Sequence, residues 1–600
     1  MRLHRLFHVL LAFCLGLALL AGRLLWLQAW GAPPRGAAAA DAAAMSVRQR
    51  SQGVTLDPGR GHIVDRHGVP LTGHTVNGLL LLPGGADRMT ADERRTLARV
   101  LNVAPMRLLE EWRKIDRPAW WNGRDGAGVA VGADPLPLTA EQAARIRELR
   151  LPGATVASAV VRYPERRLAA HLVGFVAEQP ERVTALYGKK LTDGQLQLST
   201  PIGASGLELA FDRLLQGVGE TRIVSYVDGQ GEPLDGLGVQ TVGTSNPYYP
   251  LRLISTIDAA AQRAVEAAAD AAGLKEGAVV VLDVASSDIV AMASRPTYEA
   301  GRLSRAGEDW ANRAIRAVAP GSIMKSFVAA AALEEGVVRP DETFDCDGTY
   351  SHYGLTCWKE GGHGRLTFAE ALAESCNIAF AEVGERLSGE TLVRYGTALG
   401  LIGPVGWKGV SEVDGQPLTQ LPEEQPGRLF AGAPEAADGG VLAQTAIGQR
   451  DARWTPLLAA NWMATVARGG APASPRAAAE LQYADGHAAE KYDPHRLPDG
   501  RDAISPATAR TLRGMLEGVV EFGTGASLRS AAWPLAGKSG TAEATVDGRD
   551  VVHQWFVGYG PTDKPKYAVA VLAESRPTGS ANRATAVFKA VMDALAGLPD

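Results

Sequence analysis

Cysteine is scarce in this chain: Cys14, Cys346, Cys357 and Cys376 are the whole complement in 600 residues. No Cys/His group has zinc-like spacing along the sequence, and the eleven histidines are scattered, so neither a metal nor a cofactor is expected. A surplus of basic charge is missing too. Lys and Arg number 61 against 66 Asp and Glu, a formal net charge of -5, which argues against the basic face of a nucleic-acid binder; no nucleic-acid partner is expected. No internal repeat is present. Six hundred residues are too many for one compact core, so two or three domains are expected.

What is present begins at the N-terminus. "MRLHRLFHVLLAFCLGLALLAGRLLWLQAW" has Arg2 and Arg5, an apolar stretch from Leu6 to about Ala21, then Arg23 and a further apolar turn ending in Trp30. Taken through that last turn it reaches the ~20 residues a bilayer helix needs. Arg23 can snorkel to the headgroups, and Trp26 and Trp30 suit an interface. A cleaved signal peptide is the competing reading; its apolar core would be long, and no small-x-small site follows at once. The expectation is an uncleaved anchor over residues 1–30, oriented by Arg2 and Arg5 with the N-terminus inside and the rest outside the cytoplasm. Cys346 and Cys357 bracket the loop "CDGTYSHYGLTC" in what is then an oxidising compartment. A disulfide between them is open, because spacing alone does not fix the geometry.

Residues 31–55, with "GAPPRGAAAADAAA", are low in complexity and read as a linker or juxtamembrane segment. From 56 to 255, short apolar runs alternate with Gly/Pro/Asp turns and helical stretches such as "LTAEQAARIRELR", the pattern of a mixed α+β domain. Thr256 or Asp258 can cap a helix through "AAAQRAVEAAADAA". The remainder, 256–600, reads as one unit. "GAVVVLDVASSDIVAMAS" predicts two strands, and "KSGTAEATV", "HQWFVGYGP" and "KYAVAVLAES" predict three more before a closing helix, "RATAVFKAVMDALAG". Strands at both ends of a domain with a helical middle predict an α+β fold, an antiparallel sheet with helices packed on it.

Three short motifs carry chemistry. "APGSIMKSFV" places Ser322 and Lys325 one helical turn apart on the same face. A serine hydroxyl is a poor nucleophile until something takes its proton, and a desolvated lysine can have its pKa lowered enough to do so. Alone this motif means little, since S-x-x-K occurs roughly once by chance in a chain of this length. "AESCNIAF" adds Ser375 and Asn377, and "AGKSGTAEA" adds Lys538, Ser539, Gly540 and Thr541 at the entry to a predicted strand. Ser-x-x-Lys, Ser-x-Asn and Lys-Ser/Thr-Gly in this order resemble the active-serine signature of penicillin-binding proteins and serine β-lactamases. On that resemblance Ser322 attacks a carbonyl and Lys325 accepts its proton. Ser375 relays a proton to the leaving amine, and Asn377 offers its amide to the substrate or to Lys325. Lys538 supplies positive charge, and the Ser539 and Thr541 hydroxyls bind a substrate carboxylate. The backbone N–H groups of Ser322 and Thr541 form an oxyanion hole, and Gly540 lets the strand approach closely.

The resemblance extends from about residue 45 to the end and is to the monofunctional class B penicillin-binding proteins. "RGHIVDRHG", "RYPERRLAAHLVGFV" and "GASGLELAFDRLLQGVGE" resemble that family's N-terminal pedestal. "GSIMKSF", "CWKEGGHGRLTFAEALAESCNIAF", "IGQ" with "WTPLLAAN", and "GKSGTAE" resemble its transpeptidase domain. It implies a β-lactamase/transpeptidase-like domain on an elongated α+β pedestal, preceded by one transmembrane helix. It also implies a D-Ala-D-Ala peptidoglycan stem peptide as donor, β-lactams as inhibitors, and a membrane glycan polymerase of the shape, elongation, division and sporulation family as partner. No module resembling a glycosyltransferase or the small penicillin-binding and kinase-associated repeats is found.

Three positions depart from the family pattern. Ser539 stands where threonine is commoner, and keeps the hydroxyl. Cys376 fills the middle of the second motif and reads as a small packing thiol. Arg450 in "IGQR" stands where glycine is usual and reads as a surface change. His363 reads as a loop residue, Glu374 as structural and Trp555 as core or cleft wall. A DD-carboxypeptidase, a β-lactamase-like hydrolase and a catalytically silent scaffold remain as alternatives. The first two share the same serine chemistry.

Overall fold

Helix starts are set by local caps. The Asp258 carboxylate accepts from the N–H groups of Ala260 and Ala261 and opens the helix Ala259–Ala271, while the Thr256 hydroxyl lies between the carbonyls of Ile289 and Arg476, within hydrogen-bond distance of both. Of the two candidate caps, Asp258 is the one used. Thr90, Thr139 and Thr367 each close a reciprocal capping box with Glu93, Gln142 and Glu370, satisfying N-terminal donors that would otherwise be orphaned.

The structure is a computed structural model that describes residues 2–29, 51–122, 134–164, 166–193, 195–226, 239–243, 246–298, 309–497 and 503–599. The expected linker over 31–55 lies, up to residue 50, outside the described residues. Arg2–Ala29 forms a helix, with Leu10, Leu11, Phe13, Leu15, Leu17, Leu19, Leu20 and Leu25 exposed and the Arg23 guanidinium 4.7 Å above the Trp26 ring. The expected transmembrane anchor is not carried by this observation, because among the described residues no helix is long and apolar enough to cross a membrane.

Two compact units are present. One combines Met1–Pro58, Thr75–Val161 and Glu220–Thr244; the other combines Gly59–His74, Arg162–Gly219 and Ser245–Asp600. In the first, Ser51–Asp57, Thr221–Tyr226 and Val239–Val242 form an antiparallel sheet. A second sheet is ordered Ala119–Trp120, His74–Leu81, Ala154–Val161. Leu79, Leu81, Trp112, Trp121 and Ile146 form its main core.

The second unit is built on a five-stranded antiparallel sheet. Its order is Ile289–Arg295, Gly277–Asp283, Tyr567–Arg576, Arg549–Gly560, Ala536–Val546. Early and late strands thus complete one sheet, as the sequence pattern predicts. The central strands are near-continuous apolar runs, "GAVVVLD" and "YAVAVLAESR", because both faces are covered. Ala259–Ala271 and Arg583–Ala596 pack on one face, around Val279, Val571, Phe556 and Phe588. Pro456–Ala467 packs on the other, where all twelve of its residues are buried. Only Ala536–Val546, the strand with the Lys-Ser-Gly motif, is an edge on the late side.

Residues 59–74 join this unit through a short parallel pairing of His62–Val64 with Arg252–Ser255. Residues 162–219 join it through buried charge. Glu208 receives Arg60 at 2.8 Å and Arg162 at 2.5 Å, and Arg60 reaches Asp212 at 2.8 Å.

Candidate active site

The helix Met324–Glu334 begins directly after a 3-10 turn, Gly321–Ile323, and is buried continuously from Met324 to Ala332. A helix enclosed on all sides should be apolar all round, which makes its polar members informative. Ser326 is accounted for by the fold, donating to the Ile323 carbonyl at 2.7 Å and accepting from Trp462 Nε1 at 2.8 Å. Lys325 is not. Its ammonium is fully buried, 5.7 Å from the Phe380 ring centroid, and makes no ion pair among the described residues. Its three donors go to the Ser375 carbonyl at 2.8 Å, Ser375 Oγ at 3.3 Å and Asn377 Oδ1 at 2.7 Å. Burial disfavours the charged form and brings the Lys325 pKa down to about 8.

Ser375 lies in the turn between the helices Phe368–Ala373 and Asn377–Glu385, and Asn377 opens the second of them. Ser375 holds φ at 56°, a conformation that costs a non-glycine residue free energy and persists only where neighbours enforce it. Here the enforcement is visible: the Ser375 carbonyl accepts from Lys325, and Cys376 N donates to the Ala371 carbonyl at 2.8 Å. Asn377 uses both ends of its amide, accepting from Lys325 and donating through Nδ2 to the Thr356 carbonyl at 2.9 Å. The second motif is therefore a clamp on the lysine of the first.

The third motif approaches from the sheet edge. Gly321 has φ 56°, and a Cβ there would lie 2.3 Å from the Thr541 carbonyl oxygen. A Cβ on Gly540 would lie 2.9 Å from Ile323 Cγ2 and 3.0 Å from the Pro320 carbonyl. Both positions need glycine, and together they bring the strand against the turn that holds Ser322. Ser322 is half-buried, and its hydroxyl has no hydrogen-bond partner among the described residues. Lys538 is fully buried and donates to the Ser539 carbonyl at 3.0 Å. Burial first, and then the charge of Lys325, push its pKa well down. Ser539 Oγ lies 2.8 Å from Thr524 Oγ1, and Thr541 is exposed. The three motifs, scattered over more than two hundred residues of sequence, meet around two buried amines and a free serine hydroxyl.

Other residues shape this site without a motif to announce them. Trp555 is fully buried and donates to the Ala319 carbonyl at 3.0 Å, fixing the backbone just before the serine turn. Gly448 of "IGQ" accepts from Gly321 N at 2.9 Å, and a Cβ there would lie 1.9 Å from the Gly321 oxygen. Thr524 is the third, through Ser539. Arg450 lies on the surface beside Asp451. Glu374 accepts from Trp358 Nε1 through its carbonyl.

The cysteines correct the sequence reading. Cys346 and Cys357 are free thiols, and the site is not theirs alone. Cys346, Cys357, His363 and Cys376 bring one sulfur or nitrogen donor each to within 4.8 Å of one another. His363 Nδ1 lies 3.6 Å from Cys346 Sγ and 3.4 Å from Cys357 Sγ. Around a tetrahedral zinc ion, with Zn–S about 2.3 Å and Zn–N about 2.0 Å, sulfur–nitrogen separations come to about 3.5 Å and sulfur–sulfur to about 3.7 Å. The set fits. The neighbouring Cys357 and Cys376 thiols interact, which pulls the Cys357 thiol down and pushes that of Cys376 up. The expectation of no metal rested on linear spacing, whereas the donors come from a strand end, a hairpin, a loop and a helix cap.

Residues 277–593 match the family described as penicillin binding protein transpeptidase domain, and residues 55–245 match the penicillin-binding protein dimerisation domain. The chain is 27% identical over 564 residues to stage V sporulation protein D of Bacillus subtilis (strain 168), covering 88% of this chain and 76% of that protein. It is 26% identical over 566 residues to the peptidoglycan D,D-transpeptidase MrdA of Acinetobacter baumannii, covering 88% and 79%. For the Haemophilus influenzae protein of the same name the figures are 27% over 578 residues, 90% and 84%. A solved structure described as "Structural coordination of polymerization and crosslinking by a peptidoglycan synthase complex" aligns at a TM-score of 0.66 and 23% identity over 99% of both chains, a likeness of fold. With a transpeptidase match over more than half of its length, around a cleft where all three active-serine motifs converge, the chain belongs to the penicillin-binding protein transpeptidases.

Proposed function

We propose that this chain is a serine D,D-transpeptidase that cross-links peptidoglycan stem peptides and is acylated by β-lactams. The observation that carries the reading is Lys325: a buried amine with a pKa brought down to about 8, one helical turn from Ser322 and clamped by Ser375 and Asn377. In its neutral form it takes the Ser322 proton as Oγ attacks the penultimate D-alanine carbonyl. Ser375, in hydrogen-bond reach of Lys325, passes a proton to the departing D-alanine amine. Backbone N–H groups of Ser322 and Thr541 face the developing oxyanion, while Lys538, Ser539 and Thr541 receive the terminal carboxylate. An amine of a second stem peptide then takes the acyl group and frees Ser322.

The test is covalent labelling with a fluorescent penicillin, wild type against Ser322→Ala. The expected result is a long-lived label that disappears in the variant. Rapid turnover of the label would favour a hydrolase, and absence of label on folded wild type would favour a scaffold. A D-Ala-D-Ala peptide offered with and without an acceptor amine separates transpeptidase from carboxypeptidase by whether a peptide dimer forms.

The N-terminal segment serves in this reading as a membrane anchor, supported by the apolar stretch of its sequence from Leu6 to about Ala21 and by Arg2 and Arg5 before it. A membrane glycan polymerase is the corresponding partner, supported by the aligned solved structure, which is of a peptidoglycan synthase complex that coordinates polymerization and crosslinking. Cys346, Cys357, His363 and Cys376 would hold a zinc ion in this chain. With four protein donors and no open position, such a centre supplies a rigid cross-link and no chemistry to the substrate.

A further inference from the structure

The four-donor cluster has a chemical property that its geometry alone does not use. Three of its members are thiols, and they differ in access: Cys346 and Cys376 are buried, while Cys357 is partly exposed. Cys357 Sγ also lies within 4.8 Å of Cys376 Sγ. Cys376 in turn stands between Ser375 and Asn377, the two residues that occupy all three donors of Lys325. A second tie runs across the same gap, from Asn377 Nδ2 to the Thr356 carbonyl next to Cys357. Whatever links Cys357 to Cys376 therefore acts on the clamp around Lys325.

We propose that the cluster is an oxidation-sensitive clasp, in which a peroxide joins Cys357 to Cys376, expels the metal and disables acylation at Ser322. This rests on the reading that the four residues hold zinc and that Ser322 is acylated. The Cys357 thiolate attacks one peroxide oxygen and breaks the O–O bond, giving a sulfenic acid and hydroxide. The Cys376 thiolate then attacks that sulfur and displaces a second hydroxide, forming the disulfide. The two sulfurs lose two electrons, the peroxide gains them, and the hydroxides are protonated to water. Two of the four ligands are gone, and Cys346 with His363 is too small a set to retain the ion.

The mechanical consequence follows from distance. Donor atoms within 4.8 Å of one another must close to about 2.05 Å between two sulfurs. Movement of Cys376 carries Ser375 and Asn377 with it, and a misplacement of about 1 Å at a reacting group costs about 100-fold in rate. A thiol reductant with added zinc reverses the change.

The experiment uses the full-length chain loaded with zinc and treated with hydrogen peroxide. It follows released zinc with a colorimetric chelator, the disulfide by peptide mapping after alkylation, and the rate of fluorescent-penicillin labelling. The expected result is one zinc per chain, released as a Cys357–Cys376 linkage forms, with labelling slowed at least tenfold and restored by reductant plus zinc. Cys346→Ser, which keeps the reacting pair, should still form the linkage, and Cys357→Ser should not. Undiminished labelling of chains that carry the linkage would overturn the proposal, as would equal peroxide sensitivity in Cys357→Ser. Zinc that stays bound under peroxide overturns the clasp and leaves the metal reading standing. A chain that binds no zinc overturns both. A zinc-binding chain that takes no label before treatment overturns the acylation reading, and the clasp with it.

Discussion

Two clusters of buried charge lie in the larger unit and follow opposite rules. Around Glu208, charge meets counter-charge: Arg60 and Arg162 close on the one carboxylate, and Arg60 continues to Asp212. Burial works against the Glu208 charge, but Arg162 and Arg60 outweigh it and hold the carboxyl below its ordinary range. Around Lys325 and Lys538, two ammonium groups are buried with no carboxylate paired to either among the described residues, and both pKa values fall. A matched buried cluster stays ionised and holds segments together. An unmatched pair of buried amines is poised to lose a proton, the condition a general base requires.

The sharpest way to break this comparison is to delete one member of each cluster. Lys325→Ala should slow penicillin acylation by about 100- to 10,000-fold, the range for a lost general base, while thermal unfolding moves little. Glu208→Gln should do the reverse. Removing one partner from a buried ion cluster leaves guanidinium groups unpaired and costs about 3–5 kcal/mol, read as a lower midpoint in thermal or urea unfolding. The chains that remain folded should acylate at the wild-type rate. If Lys325→Ala lowers the midpoint as far as Glu208→Gln does, the division between structural and chemical charge fails.

A titration sharpens the same point at smaller amplitude. With Lys325 as the proposed base, acylation draws on its neutral form, whose fraction grows as pH rises through about 8. The rate should climb close to tenfold per unit from pH 6, about 50-fold by pH 8, and level off above. Glu208 titrates below its usual range, so it adds nothing in this window. A flat profile between pH 6 and 9 would mean that another group accepts the proton.

Which parts of this were readable in the sequence depends on how each is held together. The three motifs were readable because the chemistry demands particular side chains at short spacing, and the structure brings Lys325, Ser375 and Asn377 into direct hydrogen-bond contact. The five strands were readable because buried strands are apolar runs broken by turns. The zinc-type cluster was not, since Cys346, Cys357, His363 and Cys376 sit on separate elements and only the fold closes the gaps. Nor was the attachment of residues 59–74 and 162–219 to the larger unit, which depends on His62–Val64 pairing with Arg252–Ser255 and on Arg60 reaching Glu208. Such long-range contacts leave no local periodicity. Trp555 read correctly as core or cleft wall, but its hydrogen bond to Ala319 is a tertiary fact.

The smallest effect concerns Thr524, which no motif marks. Its hydroxyl lies 2.8 Å from that of Ser539, the residue standing where threonine is commoner in the third motif. A serine hydroxyl rotates more freely than a threonine's, whose β-branching restricts χ1. Thr524 supplies from outside the rotational restraint that the serine lacks. Thr524→Val keeps the shape and removes this hydrogen bond, worth about 1 kcal/mol, so acylation at low penicillin concentration should fall about fivefold. The pH inflection should not move, since the pair carries no charge. Ser539→Thr in the same background should recover most of the loss, because the methyl group then fixes χ1 in place of the missing partner. Failure of that rescue would make Thr524 a packing residue and leave the orientation of Ser539 to Lys538, whose ammonium holds the adjoining carbonyl.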